Sequence, residues 1–319
     1  MSVLLAGSLG LSALVLVLTR REAPRVSSAA AASEAHDFLD DATGARVRLR
    51  HFSRIASNSI LADRLLLELA EPERIVGLSH HGMEESPVRF QYGARASIDP
   101  NGDLEALIAL KPDLLLVNNF ADRKRIERLR DAGVVVFELG EMRGLDSLLV
   151  QMQKVAVLLG APERGRELAH DFVASMRGVA ADIPAAQRKR GLYVGVHGTQ
   201  MYGGAPGTSY HDVLVHAGLT DCAAGRYKDW PAYTSEDLLA LDPDVIVTGE
   251  GQREVLCQHA SLSMLRACGG GAGAAARTAQ VVEIDPRKLV DPGLTMLDVT
   301  VLVREAVYGP LGEPPAEAR

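Results

Sequence analysis

The sequence predicts an α/β protein of two lobes, each built on a parallel sheet, with a helical connection between them. Three observations predict it. Segments with strand and helix patterns alternate from Val47 onward, as in sheets covered by helices. The alternation breaks once, where Leu145–Leu159 and Glu163–Val179 both read as helix, separated only by Gly160-Ala161-Pro162. Finally, Leu104-Glu105-Ala106-Leu107-Ile108-Ala109-Leu110-Lys111-Pro112-Asp113-Leu114 is echoed by Ser235-Glu236-Asp237-Leu238-Leu239-Ala240-Leu241-Asp242-Pro243-Asp244-Val245, with Glu, Leu, Ala, Leu, Pro and Asp in register. Each copy reads as a short helix, a Pro-Asp stop and a buried strand, one per lobe.

Residues 1–45 read as a signal or anchor segment followed by a linker. Val3–Leu18 is mostly apolar. As a helix it spans roughly 24 Å, short of a hydrocarbon core of roughly 30 Å, so it suits an export signal better than a membrane span. Ala29–Ala32 offers a cleavage site, and no Cys follows the run for lipid attachment. Arg20 and Arg21 come after the apolar run instead of before it, so the segment is an atypical signal or an uncleaved anchor. Either way the chain is expected to work outside the cytoplasm, in the periplasm or its equivalent.

The N-terminal lobe takes residues 46–143. Val47–Phe52 alternates as a strand, Ile60–Leu69 is an amphipathic helix, and Arg74–Leu78 is a short strand. Leu104–Leu110 is a helix, Leu114–Val117 a buried strand, Arg123–Asp131 a charged helix and Val134–Phe137 a strand. Residues 144–183 form the linking helix. The C-terminal lobe, 184–312, places strands at Gly191–Val196, Val245–Thr248 and Gln280–Ile284. Its helices fall near Tyr210–Ala217, Ser235–Leu241, Gln252–Cys257 and Leu294–Val307. Gly269–Ala276 reads as a loop.

Composition narrows the function. A net charge of −7 excludes nucleic acid as the main partner, because phosphate binding needs a basic face. No phosphate loop, nucleophile elbow or H-E-x-x-H motif occurs, and the Gly249-x-Gly251 segment has Glu254 where a dinucleotide fingerprint needs glycine. The three cysteines make no C-x-x-C pair. Cys257 and Cys268 could close a short loop, or all three could be small buried residues.

In α/β sheets ligands bind beyond the carboxyl ends of the strands, so two such lobes would hold a ligand between their loop edges. The first lobe offers Ser79-His80-His81-Gly82, Phe90-Gln91-Tyr92-Gly93 and Asn118-Asn119-Phe120. The second offers Gly198–Gly204, Tyr210-His211 and Tyr227–Tyr233. Six of the 14 aromatic residues fall between Tyr193 and Tyr233, most in loops, which suits a flat or bulky ligand. The candidate ligand contacts are therefore His80, His81, Tyr92, Tyr202, Tyr210 and Trp230. A histidine pair followed by Glu84-Glu85 could bind metal, but in a strand-like segment adjacent side chains point to opposite faces. One of them, with Tyr202, Tyr210 or His211 opposite, could instead ligate a haem iron. Arg89, Arg95 and Arg226 are candidates for an anionic chelate. Glu105 and Glu236 occupy equivalent first-turn positions. The helix dipole favours a carboxylate there, and a matched pair could also dock on paired arginines of a symmetric partner.

These residues resemble the iron-siderophore, haem and vitamin B12 class of periplasmic substrate-binding proteins of ABC importers. The resemblance covers about residues 46–309. It rests on Arg74–Leu78, on Asp103-Leu104-Glu105 running into Leu110–Leu114, on Leu159-Gly160, and on Trp230-Pro231 leading through Ser235–Leu238 to Leu241–Val245. It implies two Rossmann-like lobes with central parallel sheets, joined by a single long backbone helix with little hinge motion. It implies a monomer that carries a metal-chelate small molecule to a permease dimer, with no cofactor, no resident metal and no catalysis. It places Glu105 and Glu236 at the permease and Trp230 and Ser79–Gly82 at the ligand. The usual opening motif of the class is replaced by Arg54-Ile55-Ala56-Ser57-Asn58-Ser59. The alternatives are a free zinc or manganese carrier, which needs three or four inward His, Asp or Glu ligands, and a two-lobed metalloenzyme.

Overall fold

The computed structural model describes residues 37–86, 89–118, 122–269, 280–289 and 293–311. The expected signal or anchor run and its cleavage site lie outside the described residues, as do Asn119, Phe120 and nearly all of the Gly-Ala run.

The first lobe is a five-stranded parallel sheet. After a small ribbon of β1 (Phe38–Asp40) and β2 (Arg46–Arg48) come β3 (Ile55–Ser57), β4 (Ile75–Ser79), β5 (Ala96–Ile98), β6 (Leu114–Val117) and β7 (Val135–Glu138). Their spatial order is β5-β4-β3-β6-β7. The chain starts in the middle, builds one side, then crosses to the other. This is a doubly wound sheet with its switch point between β3 and β6. Strand β6 is buried along its whole length, as a central parallel strand must be. Val47–Phe52 does not join this sheet. The opening strand is Ile55–Ser57, in the segment that departs from the usual motif, and it pairs with Leu114–Leu116.

The second lobe contains β8 (Arg190–His197), β9 (Gln200–Gly203), β10 (Thr220–Asp221), β11 (Ala232–Tyr233), β12 (Val245–Gly249) and β13 (Val281–Ile284). They are ordered β11-β9-β8-β12-β13, with β10 beside β8. Strands β8, β12, β13 and β10 are parallel, and β9 turns back antiparallel on the far half of β8.

The echoed segments occupy equivalent places. Lys111 and Asp242 both take the left-handed region (φ 49° and 37°), which ends the helix because the following proline disfavours the helical conformation before it. Asp113 accepts the Arg54 amide at 2.9 Å, and Asp244 accepts the Arg190 amide at 3.1 Å. The Arg54 and Arg190 guanidinium groups each donate, at 2.5 Å, to the helix-end carbonyls of Leu110 and Leu241. One arginine–aspartate clasp thus joins helix end, strand start and neighbouring strand in each lobe.

Between the lobes lie two helices, Leu145–Leu158 and Pro162–Gly178. They fold back on each other as an antiparallel hairpin, so the expected single rod is two packed segments. Gly160, in the left-handed region, and Pro162 make the reversal. Gly165 lets the helices touch, since a Cβ there would collide with that of Ala156. Leu148, Met152, Phe172 and Met176 join side chains of both lobes in one apolar cluster. Full burial of each such side chain contributes about 1.5–3 kcal/mol.

Candidate functional site

At the carboxyl end of β4 the chain enters a helix, His80–Glu85. This corrects the strand-like reading of the histidine pair. Ser79 caps the helix, its hydroxyl oxygen accepting the Gly82 amide at 3.0 Å. Asp63, wholly buried on the helix Ile60–Leu69, accepts the Ser79 amide at 3.1 Å and the Ser79 hydroxyl. Burial raises the Asp63 pKa to about 7 against these hydrogen bonds. Gly82 lies directly on this network, for a Cβ there would run into the Asp63 carboxylate and the Tyr92 phenol. His80 is half-exposed, its Nδ1 3.2 Å from the Ser97 hydroxyl and its Nε2 3.4 Å from Glu84. His81 is exposed, its ring 5.9 Å from that of His80.

Tyr92, expected at the ligand surface, is only 1% exposed and belongs to the core of the first lobe. Phe90, two residues earlier, is 76% exposed. Arg95 is occupied with the carbonyls of Gln91 and Tyr92.

On the second lobe, Tyr193, Gly195 and Tyr202 share one face of the β8–β9 pair, by the alternation of strand residues and the Gly195–Tyr202 register. Tyr210, half-buried, stacks on Tyr193 at 3.6 Å with the rings 6° from parallel. Tyr202 remains 39% exposed, and Trp230, next to the edge strand β11, 42%. Arg143, from the connection that leaves the first lobe, lies over the Trp230 ring at 4.9 Å and pairs with Asp229. Nothing in the sequence singled out Arg143, because its partners Asp229 and Trp230 are 86 and 87 positions away. His211 holds Asp221 at 2.6 Å, and this bond raises its pKa. Arg226 pairs with Asp237 and covers Tyr227.

Asp212 of the second lobe accepts the Leu145 amide at 2.6 Å, capping the first linking helix across the lobe boundary. The Ser209 amide donates to the Arg143 carbonyl beside it. Glu105 and Glu236 are exposed, each the second residue of its helix, behind the caps Asp103 and Thr234. Cys257 and Cys268 form a disulfide, and Cys222 is free. Among the described residues no group of three or more His, Cys, Asp or Glu is placed to hold a metal ion, and no helix is long and apolar enough to cross a membrane.

The family model described as periplasmic binding protein matches residues 55–266. The chain belongs to that family. A cobalamin-binding protein of Halobacterium salinarum is 26% identical over 203 residues, covering 61% of this chain and 53% of that protein, so the match spans about half the relative's length. A vitamin B12-binding protein of Salmonella choleraesuis is 21% identical over 59% of this chain and 71% of its own. Among solved structures, a periplasmic heme-binding protein of Pseudomonas aeruginosa covers 82% of this chain and 95% of its own, with TM-score 0.64 and 24% identity. A possible iron-binding solute-binding protein of Staphylococcus epidermidis covers 81% and 100%, with TM-score 0.70 and 18% identity. At these identities the structures share the family's two-lobed fold with this chain.

Proposed function

We propose that this chain is the substrate-binding component of an ABC importer and acts by binding, without catalysis. It captures an iron chelate, haem or a cobamide between lobes spanning about 46–143 and 184–312, and delivers it outside the cytoplasm to a permease dimer. Residues 144–183 hold the lobes at fixed separation. One observation carries the reading. Arg143, half-buried, lies over the Trp230 ring where the second lobe meets the connection from the first, and Trp230 and Tyr202 are both exposed aromatic side chains of that lobe. Such a surface stacks on a flat ring and pairs with its carboxylate or phosphate edge. The names of the relatives support the same ligand class. His80 and His81 supply imidazoles from the first lobe. Glu105 and Glu236 form the matched acidic pair for permease arginines.

Trp230 is the only tryptophan, so its fluorescence reports on this surface. Titration with hemin, cyanocobalamin and ferrichrome should quench it saturably for one of them, and Arg143→Ala should weaken that binding about tenfold, or about 1.4 kcal/mol. If no ligand quenches the emission or gives heat in calorimetry, the reading is wrong.

A further inference from the structure

We infer that Asp229 is a specificity-determining residue of the ligand surface. Its carboxylate holds the Arg143 guanidinium, and a guest gains that guanidinium only by bringing a carboxylate or phosphate that displaces Asp229. The inference rests on the binding function proposed above. Among the described residues, three that are not glycine take the left-handed region: Lys111, Asp229 and Asp242. Lys111 and Asp242 end the echoed helices before a proline. Asp229 (φ 59°) ends no helix and precedes no proline. Backbone strain that the fold does not require points to a function.

The conformation is held from both sides. The Ala205 amide donates to the Asp229 carbonyl at 2.9 Å, the Asp229 amide to the Pro206 carbonyl at 3.1 Å, and the Gly203 amide to the Pro231 carbonyl at 2.8 Å. These bonds fasten Asp229 and Trp230 to the chain at the end of β9. Gly207 leaves room for the carboxylate, since a Cβ there would lie 3.0 Å from Oδ1 of Asp229. That oxygen accepts from Nη2 of Arg143, whose own backbone is fixed by the Ser147 hydroxyl and the Ser209 amide. Both side chains are partly exposed, so the pair adds little to stability. Its consequence is electrostatic: it offsets the charge that lies over the Trp230 ring.

The pairing is also incomplete. Asp229 engages one nitrogen through one oxygen, and Nε of Arg143 is buried without a hydrogen-bond partner. A carboxylate or phosphate that takes the turned guanidinium edge-on, through two parallel bonds, makes the stronger contact and displaces Asp229. An uncharged guest has nothing to exchange and leaves the pair in place. Asp229 therefore sets a threshold of negative charge for any guest that is to use Arg143.

The test titrates the purified chain with three pairs of guests, following Trp230 emission and visible absorption: hemin with its dimethyl ester, cyanocobalamin with dicyanocobinamide, and ferric citrate with ferrichrome. In each pair only the first carries a carboxylate or phosphate. For a pair that binds, the parent should favour the first member. Asp229→Asn should tighten the first member about tenfold and leave the second within about twofold. Asp229→Gly should do the same, because asparagine and glycine both accept the left-handed backbone, and circular dichroism verifies folding. Arg143→Ala added to Asp229→Asn should erase the gain. An unchanged ratio between the two members in Asp229→Asn, or equal weakening of both, overturns the inference. So does a parent that binds both members alike or favours the second. If none of the guests binds, the proposed function itself falls.

Discussion

Asp63 has no exposed surface, yet it fixes the start of the helix that carries His80 and His81. Its folded pKa of about 7 lies above its ordinary value of 3.8, because burial disfavours the carboxylate. Between those values the folded chain keeps a proton that the unfolded chain gives up. The contribution to stability is complete below pH 3.8 and is lost as pH rises through about 7. Asp63→Asn keeps a neutral acceptor and should flatten that slope. Urea midpoints measured from pH 5 to 8 should fall less for the variant than for the parent. His211 slopes the same way, its bond to Asp221 raising its pKa, so the informative quantity is the difference between the two chains. At this scale the sequence was legible by composition and not by orientation. The aromatic clustering could be counted in the sequence, but that Tyr92 and not Phe90 turns inward depends on its packing beside Gly82 and Asp63, the latter 29 positions earlier in the chain.

The helix His80–Glu85 owes its close seating to Gly82. Gly82→Ala places a methyl group against the Asp63 carboxylate and the Tyr92 phenol, and should cost about 1–3 kcal/mol by overpacking, read from denaturant midpoints. It should also shift His80 and His81 and weaken ligand binding, which separates it from a purely distant destabilisation. The disulfide Cys257–Cys268 closes a short loop after β12, and its loss should lower stability by about 3 kcal/mol. A thiol assay should find one free thiol before reduction and three after, and equal counts would remove the bond from the structure. Helices with strong periodicity, such as Ile60–Leu69 and Arg123–Asp131, were legible in the sequence to the residue. The short strands β5, β9, β10 and β11 were not, because two to four residues carry no period and their pairing is decided by partners elsewhere. The alternation of Val47–Phe52 misled for the same reason: Arg54 and Asp113 decide which segment joins the sheet.

The duplicated clasps, Arg54 with Asp113 and Arg190 with Asp244, give the molecule two similar halves and place Glu105 and Glu236 at equivalent helix starts. If these carboxylates engage a permease dimer, Glu105→Arg with Glu236→Arg should abolish uptake in reconstituted vesicles and leave ligand affinity within about twofold. Reduced affinity would instead place them at the ligand. The two-lobed plan could be read from the echo of eleven residues. The hairpin in the connection was marked only by Gly160-Ala161-Pro162, a reversal whose direction depends on the contact between Gly165 and Ala156.

The carboxylate of Asp212 seals the first turn of the connecting hairpin from the opposite half. If the two halves grip a guest as proposed, this bond opposes any change in the opening between them, and selection would fall on girth before it falls on charge. Loosening the lock with Asp212→Ala should broaden the range of accepted guests as it weakens the grip on the best one.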